Sequence, residues 1–409
     1  MNKTRLAIVS THPIQYYAPV FRALAESAEV QPKVFYTWSQ AAQGTQFDPG
    51  FGTSVSWDIP LLQGYEYEFV PNVSRKPGTE RFMGIRNPGL ANAIASWNPQ
   101  ALLVYGWNLH SHLQIMRRMK GHVPVYFRGD STLLDHRPPL RRLARRAVLH
   151  WVYRHIDTAI AVGSNNADYF AWCGVPRQRI AVAPHSVDTR RFADYQQGYD
   201  ERAAAWRREL GIGERDLAVV YAGKLSPTKD LALLVEAFKQ LRVPAHLVLF
   251  GNGELEAELK ARAQGRGNIH FMPFQNQAAM PAVYRVGDLF ILPSRGETWG
   301  LGLNEAMACG RAIIASSKVG AARDLVREGV NGWTFESGSI GALVQTLETA
   351  LGCGREVLHS MGAEAARIAG RWSTEASAAA IAAIVSSRHG GGADLASAAG
   401  QGIRPCAES

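Results

Sequence analysis

Two carboxylates, Glu297 and Glu305, stand eight residues apart in the stretch PSRGETWGLGLNEAMACG (293–310), with Gly300 and Gly302 between them. The run DLFILPS before them reads as a short apolar strand, and LNEAMAC suits a short helix ended by Gly310. A strand, a glycine-bearing turn and a helix start present free backbone N–H groups and the positive end of a helix dipole. Such a turn is an anion site, and phosphate is its usual occupant. The spacing gives the carboxylates different work: Glu297 lies in the loop beside the anion, Glu305 one to two turns into the helix. The plain alternative is a pair of solvated glutamates flanking a packing turn.

A second constellation lies upstream. YAGKLSPTKDL (221–231) reads as a strand followed by a turn carrying Lys224 and Lys229. Two ammonium groups leaving one strand end can converge on a diphosphate and neutralise the charge that builds on a nucleotide leaving group. Solvated turn lysines are the alternative. GNGELEAEL (251–259) places Gly251 and Gly253 between a strand and the opening of a helix. Two readings stay open there: close backbone approach to a nucleotide base or ribose, or a tight strand-to-helix turn. The 12 histidines do not gather at metal-ligand spacing on one helix.

These segments, with LVLFGNGELEAEL (247–259) and VGAARDLVREGVNGWTF (319–335), come in an order and spacing that resembles the retaining glycosyltransferases of family 4. Glu297 and Glu305 resemble that family's Glu-x7-Glu signature. The resemblance covers nearly the whole C-terminal half and fits the N-terminal half more loosely. It implies the α/β GT-B fold, two doubly wound Rossmann-like domains with parallel sheets facing across a cleft. It also implies roles: Glu305 accepts hydrogen bonds from ribose hydroxyls, Glu297 faces the transferred sugar, and the N–H groups of Gly300 and Leu301 hold phosphate. Gly223, Gly251 and Gly253 join the donor contacts. Lys224 stands where the family usually has arginine, so a point charge replaces a bidentate fork. The Asp-x-Asp metal clamp of the other large glycosyltransferase fold does not occur in this sequence, so neither a metal nor another cofactor is expected.

The elements that must position these groups are short apolar strands alternating with helix-length segments. LAIVS, VQPKVFYT, ALLVYG, VPVYF, TAIAVG and RIAVAP occur in the first half, and LAVVYAG, HLVLFGNG, NIHFMP, DLFILP and RAIIAS in the second. Strands apolar throughout read as buried parallel sheets covered on both faces, and the pattern occurs twice. The expected organisation is an acceptor-binding domain over 1–188, a polar linker over 189–205 and a nucleotide-sugar domain over 206–370. A helix over 371–388, capped near Ser373, is of the kind that crosses back to the first domain in GT-B enzymes, and a disordered tail covers 389–409.

In the first half, THPIQYYAP (11–19) offers His12, Gln15 and Tyr16 at the end of the first strand, where family members commonly carry a glycine-rich loop. VYFRGDS (125–131) brings Arg128 and Asp130 to a strand end where many members have a histidine near the sugar. Arg128 is expected to hold sugar or acceptor, and Asp130 to act on the acceptor hydroxyl. GWNLHSH (106–112) adds Trp107 for acceptor stacking.

Composition narrows the class. Hydrophobic residues make up 46% and charged residues 19% of the 409 residues, a globular balance. The opening MNKTRLAIVSTHP reads as a first core strand rather than a signal peptide, and Cys173, Cys309, Cys353 and Cys406 form no pairs at metal or disulfide spacing. A cytoplasmic, reduced protein is the expectation. The net charge of +9 is uneven: residues 1–195 carry 22 basic against 13 acidic side chains, the remainder 22 against 22. Within PPLRRLARRAVLHWVYRHI (138–156), Arg141, Arg142, Arg145 and Arg146 are expected to form one basic helix face beside Leu143, Val148, Leu149 and Trp151. Two readings stay open for residues 141–154, docking on anionic lipid or a core-packing helix with a solvated basic face. No aromatic-interleaved basic platform points to nucleic acid.

The expectation is a retaining glycosyltransferase moving a sugar from a nucleotide-diphosphate donor to a glycan or lipid-linked acceptor, in cell-surface polysaccharide or glycolipid synthesis. Lys224, Lys229 and Glu297 would carry the chemistry with Arg128 and Asp130. The alternatives are a non-catalytic nucleotide-sugar-binding protein on the same scaffold and a GT-B sugar epimerase.

Overall fold

The structure, a computed structural model, describes residues 3–42, 46–48, 53–55, 57–134 and 138–387. The expected tail over 389–409, with Cys406, lies outside the described residues. The chain divides into two compact units. The first half contributes β1 (Thr4–Ser10), α1 (Ala18–Glu26), β2 (Val30–Tyr36), β3 (Gln46–Asp48), β4 (Thr53–Val55), β5 (Glu66–Phe69), α2 (Leu90–Trp97), β6 (Ala101–Tyr105), α3 (His110–Met119), β7 (Val125–Arg128), α4 (Pro139–Tyr153), β8 (Thr158–Ala161), α5 (Ser164–Trp172) and β9 (Ile180–Val182). The second contributes α6 (Thr189–Ala193), α7 (Tyr199–Glu209), β10 (Ala218–Ala222), α8 (Leu231–Gln240), β11 (His246–Phe250), α9 (Glu256–Arg262), β12 (Ile269–Met272), α10 (Met280–Val286), β13 (Leu289–Leu292), α11 (Leu301–Ala308), β14 (Ala312–Ser316), α12 (Ala322–Leu325), β15 (Gly332–Phe335), α13 (Ile340–Gly352), α14 (Gly354–Ala369) and α15 (Thr374–Ser387).

The first unit holds a seven-stranded sheet in the order β5-β2-β1-β6-β7-β8-β9, parallel throughout. Its central strands β1, β6, β7 and β8 bury both faces, as their apolar runs demand. Ala7, Val9, Leu102 and Val104 face a core completed by α2, α3, α4 and α5. Leu6, Ile8 and Leu103 face the opposite core, which takes Phe21 and Leu24 of α1 and Ile381 and Val385 of α15. The C-terminal helix therefore belongs to the first unit's fold, against α1 and β2.

The second unit holds a six-stranded parallel sheet in the order β12-β11-β10-β13-β14-β15. In both sheets the strand order reverses direction beside the first strand, and loops at such a switch point leave a crevice at the strands' carboxyl ends. The crevice-forming loops follow β1 and β6 in one unit, and β10 and β13 in the other.

Two elements differ from the sequence reading. The segment expected as a polar linker is helical, α6 and the start of α7, and is grouped with the second unit from Ser186. The buried Arg285 side chain explains this. Its Nη2 donates to the carbonyls of Phe192 (2.9 Å) and Asp194 (3.2 Å), its Nε lies 3.2 Å from Asp200, and its guanidinium sits over the rings of Tyr195 and Tyr199.

The basic face expected on α4 turns outward only in part: Arg141 and Arg146 are exposed, Arg142 and Arg145 half-buried. Arg142 and Arg146 lie over the Trp172 ring, 5.7 and 5.8 Å from its centroid, and Arg145 donates to the Tyr169 hydroxyl at 2.9 Å. Only Arg141 of the four reaches out without such a partner ring, while Leu149 is buried in the core. Guanidinium groups stack on aromatic faces more readily than a charge pattern suggests, and α5 supplies those faces.

Because α15 completes the first unit's core, Ile381→Ala leaves a cavity under β1 and costs about 2–5 kcal/mol. Urea unfolding followed by circular dichroism measures this; an unchanged midpoint would show that α15 is dispensable to the unit.

Candidate active site

The predicted residues of the second unit, apart from Gly251 and Gly253 in the loop after β11, fall at the β10–β13 switch point or on an element leaving it. After β10 the chain passes through Gly223, Lys224 and a 3-10 turn (Pro227–Lys229) into α8. After β13 it passes through Ser294, Arg295 and Glu297 into α11. The two loops are joined directly. The Lys229 ammonium pairs with the Glu297 carboxylate, Arg295 N–H donates to the Thr228 carbonyl (2.9 Å), and Arg295 Nε lies 2.7 Å from Asp230. Glu297 Oε1 also accepts from the Ser294 hydroxyl at 3.2 Å.

A third loop fixes Glu297 from behind. Its N–H donates to the Lys318 carbonyl (3.0 Å), and its own carbonyl accepts from Gly320 N–H (3.1 Å). The glutamate backbone is thus held before its side chain acts. Gly300, at φ 99°, turns the chain into α11, and a Cβ there would meet side-chain carbons of Leu292 and Val319 at 2.8 Å. Leu301 opens the helix, so its N–H and that of Gly302 precede any intrahelical carbonyl partner.

Glu305 lies deeper, in α11, with 2% of its surface exposed. The hydroxyl of Tyr284, from α10, donates to its Oε2 at 2.5 Å. Glu305 and Glu297 are therefore not a matched pair: one is set in a buried hydrogen bond, the other in a half-buried ion pair. Beside them Trp299 donates to Asn304 Oδ1 (2.9 Å) and packs against Trp372, anchoring the turn between the two carboxylates.

The glycines of the β11 loop answer to backbone packing. A Cβ on Gly251 (φ 138°) would lie 2.0 Å from the Gly223 carbonyl oxygen, and one on Gly253 2.4 Å from that of Leu225. Gly223 N–H donates to Phe250 O and Leu225 N–H to Asn252 O, so the two loops run side by side. The helix expected to open at these glycines begins later, at Glu256.

Burial pushes the Lys229 ammonium down to about 8, and the like charge of Lys224 acts in the same direction. Lys224 is half-buried, and its carbonyl accepts from the Tyr221 hydroxyl at 2.9 Å.

In the first unit His12, Gln15 and Tyr16 are half-buried in the turn after β1, and Trp107 is half-buried after β6 against the core. His12 Nδ1 bonds Thr11 Oγ1 at 2.9 Å, and its ring meets Trp38 edge to face. Burial pushes His12 down to about 4, so it is neutral at physiological pH and serves as a hydrogen-bonding group rather than an acid. Arg128 is only 4% exposed, and gives Nη1 to the Ala183 carbonyl (2.9 Å) and Nη2 to that of Pro184 (3.1 Å). Its guanidinium thereby holds the chain leading to His185. Asp130 is half-buried, and its charge bears on the Tyr17 hydroxyl.

Sequence reasoning missed His185, buried beyond β9 and stacked on Tyr17, whose ring also packs on Tyr105 at 4.7 Å. Burial, aided by Arg128, pushes His185 down to about 3. The signal was available: His185 follows a strand-end proline, much as His12 follows the first strand. Tyr284 carried no such mark, because an aromatic on a short apolar helix reads as core.

Two family models match the chain. Residues 203–368 match one described as glycosyl transferases group 1, and residues 22–191 one described as glycosyltransferase family 4. Both halves of the chain are glycosyltransferase-family domains. Among curated relatives, the D-inositol 3-phosphate glycosyltransferase of Geodermatophilus obscurus is 32% identical over 178 residues, covering 40% of this chain and 38% of its own. That of Mycobacterium sp. strain KMS is 29% identical over 250 residues, covering 58% and 52%. The chain thus spans about half or less of these relatives' length.

Solved structures share the fold of this glycosyltransferase-family chain. HepE of Anabaena, crystallised with UDP and glucose, aligns with a TM-score of 0.68 at 17% identity over 94% of this chain and 100% of its own. Sucrose-phosphate synthase of Thermosynechococcus elongatus gives 0.71 at 16% identity over 95% and 99%. The two parallel-sheet units are those of the GT-B class.

Lys229 should titrate near 8, against 10.5 for an ordinary lysine. The unfolded chain then holds more protons than the folded one between those values, so stability rises with pH across that window. NMR of reductively methylated lysines reads the titration directly. Glu297→Gln removes the opposing carboxylate and should move the midpoint lower still; an unmoved midpoint would mean that the ion pair does not act on Lys229.

Proposed function

We propose that the chain is a retaining glycosyltransferase that transfers a sugar from a nucleoside-diphosphate donor to a glycan or lipid-linked acceptor. The setting would be cell-surface polysaccharide or glycolipid synthesis. The observation that carries this reading is the Lys229–Glu297 ion pair at the second unit's switch point, beside the start of α11. A cation, a carboxylate and helix-start N–H groups on one crevice suit a diphosphate with a sugar attached.

The residues divide the work as follows. The diphosphate competes with Glu297 for Lys229, and Lys224 and the N–H groups of Gly300 and Leu301 share its charge. Glu297, released from the lysine, faces the sugar. Glu305, oriented by Tyr284, accepts from the ribose hydroxyls. Gly223, Gly251 and Gly253 keep two loop backbones close enough to flank the nucleotide. As the bond from the anomeric carbon to the phosphate oxygen breaks, the acceptor oxygen bonds to that carbon from the same face. The acceptor proton passes to the departing phosphate oxygen. Two lysines and helix amides supply the electrostatics, so the reading includes no metal. His12, Gln15, Tyr16, Trp107 and Asp130 line the first unit's strand ends for the acceptor, with Arg128 positioning the His185 segment. The glycosyltransferase matches support transfer over a sensor or an epimerase.

Lys229→Ala should lower turnover about 100- to 1,000-fold, because its contribution grows as charge develops on the leaving group. A radiolabelled-donor transfer assay measures this, and the wild-type rate should persist in excess chelator. Near-normal turnover of the variant, or magnesium-dependent rescue after chelation, would reject these assignments.

Glu305→Ala should weaken nucleoside-diphosphate binding by about 10- to 100-fold, the worth of a charge-assisted hydrogen bond. Calorimetry giving an unchanged affinity would remove Glu305 from the ribose.

A further inference from the structure

Besides the arginines that lie against the rings of α5, α4 presents an apolar face to solvent. Leu140 is 82% exposed, Leu143 63%, Val148 50% and Trp151 39%. At about 100° per residue these four, with Ala144 and Ala147, fall within one arc of roughly 140° running some 17 Å along the helix. Leu149, Val152 and Tyr153 on the opposite side fill the core, and the four apolar side chains of the arc are exposed among the described residues. Four of the large exposed apolar side chains of the described residues thus stand on a single helix, where scattered singles are the ordinary case.

The surroundings say what covers it. Arg141 borders one edge of the arc and Arg154 closes its C-terminal end, both exposed, and Arg117 and Arg118 close the last turn of the neighbouring α3. Arg117 lies over the Trp151 ring, 5.5 Å from its centroid, which ties that cation to the apolar stripe. Helix α4 carries no acidic residue. Asp157, four residues beyond α4, pairs with the Lys120 ammonium and accepts from Val125 N–H. An apolar ridge rimmed by cations complements a surface with an apolar interior and anionic heads. No helix among the described residues is long and apolar enough to cross a membrane.

We propose that the outward face of α4 inserts into the headgroup–acyl boundary of an anionic lipid surface, with Leu140, Leu143, Val148 and Trp151 in the acyl region and Arg117, Arg118, Arg141 and Arg154 on the headgroups. The roles expected from sequence are therefore redistributed: apolar side chains insert, and most of the helix's own arginines hold it to the protein. The proposal rests on exposure and charge alone and stands whether or not the sugar-transfer reading does.

The test uses the full chain and vesicles of phosphatidylcholine with or without phosphatidylglycerol. Wild-type protein should co-sediment with the anionic vesicles at low salt, and less with the neutral ones. The triple change Leu140→Ser, Leu143→Ser and Val148→Ser should lower partitioning at least about 100-fold. Its circular dichroism and melting curve should stay those of the wild type, because the replaced side chains touch no core. Arg141→Glu with Arg154→Glu should weaken binding to anionic vesicles while leaving the residual neutral binding unchanged. Wild-type protein that ignores anionic vesicles, or a triple variant that binds them undiminished, would overturn the proposal. So would a concentration-dependent dimer in sedimentation velocity that the triple change abolishes, which would assign the face to a second copy of the chain.

Discussion

The Lys229–Glu297 ion pair joins the loop after β10 to the loop after β13, across a sequence separation of 68, with the Arg295–Asp230 pair bridging the same two loops beside it. The sheet order makes that contact available. Because β10 and β13 are neighbours while their following helices leave to opposite faces, their loops diverge and a crevice opens between them. The pair sits at its mouth, and burial there weakens Lys229's hold on its proton. A lysine so placed is an exchangeable partner: a ligand with more negative charge than one carboxylate can displace Glu297. Much of the local backbone serves to hold this pair in register, from the Arg295–Thr228 hydrogen bond to the Glu297–Lys318 and Gly320–Glu297 contacts.

Parallel-strand burial left the fold readable. Runs such as LAVVY and LFIL are apolar on every residue, and only a sheet covered on both faces demands that. The turn–helix at Gly300 was equally legible, since glycine at positive φ before a helix start leaves a local mark. The Lys229–Glu297 contact was not, because spacing along the chain carries no information about which distant loops meet. The interval to Glu305 set that carboxylate apart from Glu297, one to two turns into the helix, but gave no sign of the Tyr284 hydroxyl that donates to it there.

Other departures share one cause. Charge patterning identifies which residues of a helix lie together, but not which side meets the core. On α4 the arginines stand opposite Leu140 and Leu143, and the rings of Tyr169 and Trp172 draw Arg142, Arg145 and Arg146 against α5. The polar 189–205 stretch was read as a linker because it lacks strand signal, yet one buried arginine, Arg285, gathers its carbonyls and aromatics onto the second unit. Gly251 and Gly253 announced a close approach in the sequence, and the structure shows that at least the neighbouring loop makes it. A long cation with a delocalised charge is the residue whose environment sequence reading predicts worst here.

The most direct measurement is a crystal structure of the protein with a nucleoside diphosphate bound. The diphosphate oxygens should lie within hydrogen-bonding distance of Lys229 Nζ and the first N–H groups of α11, the ribose should meet the Glu305 carboxylate, and Glu297 should have let go of Lys229. A nucleotide seated elsewhere, with the Lys229–Glu297 pair intact, would contradict the account.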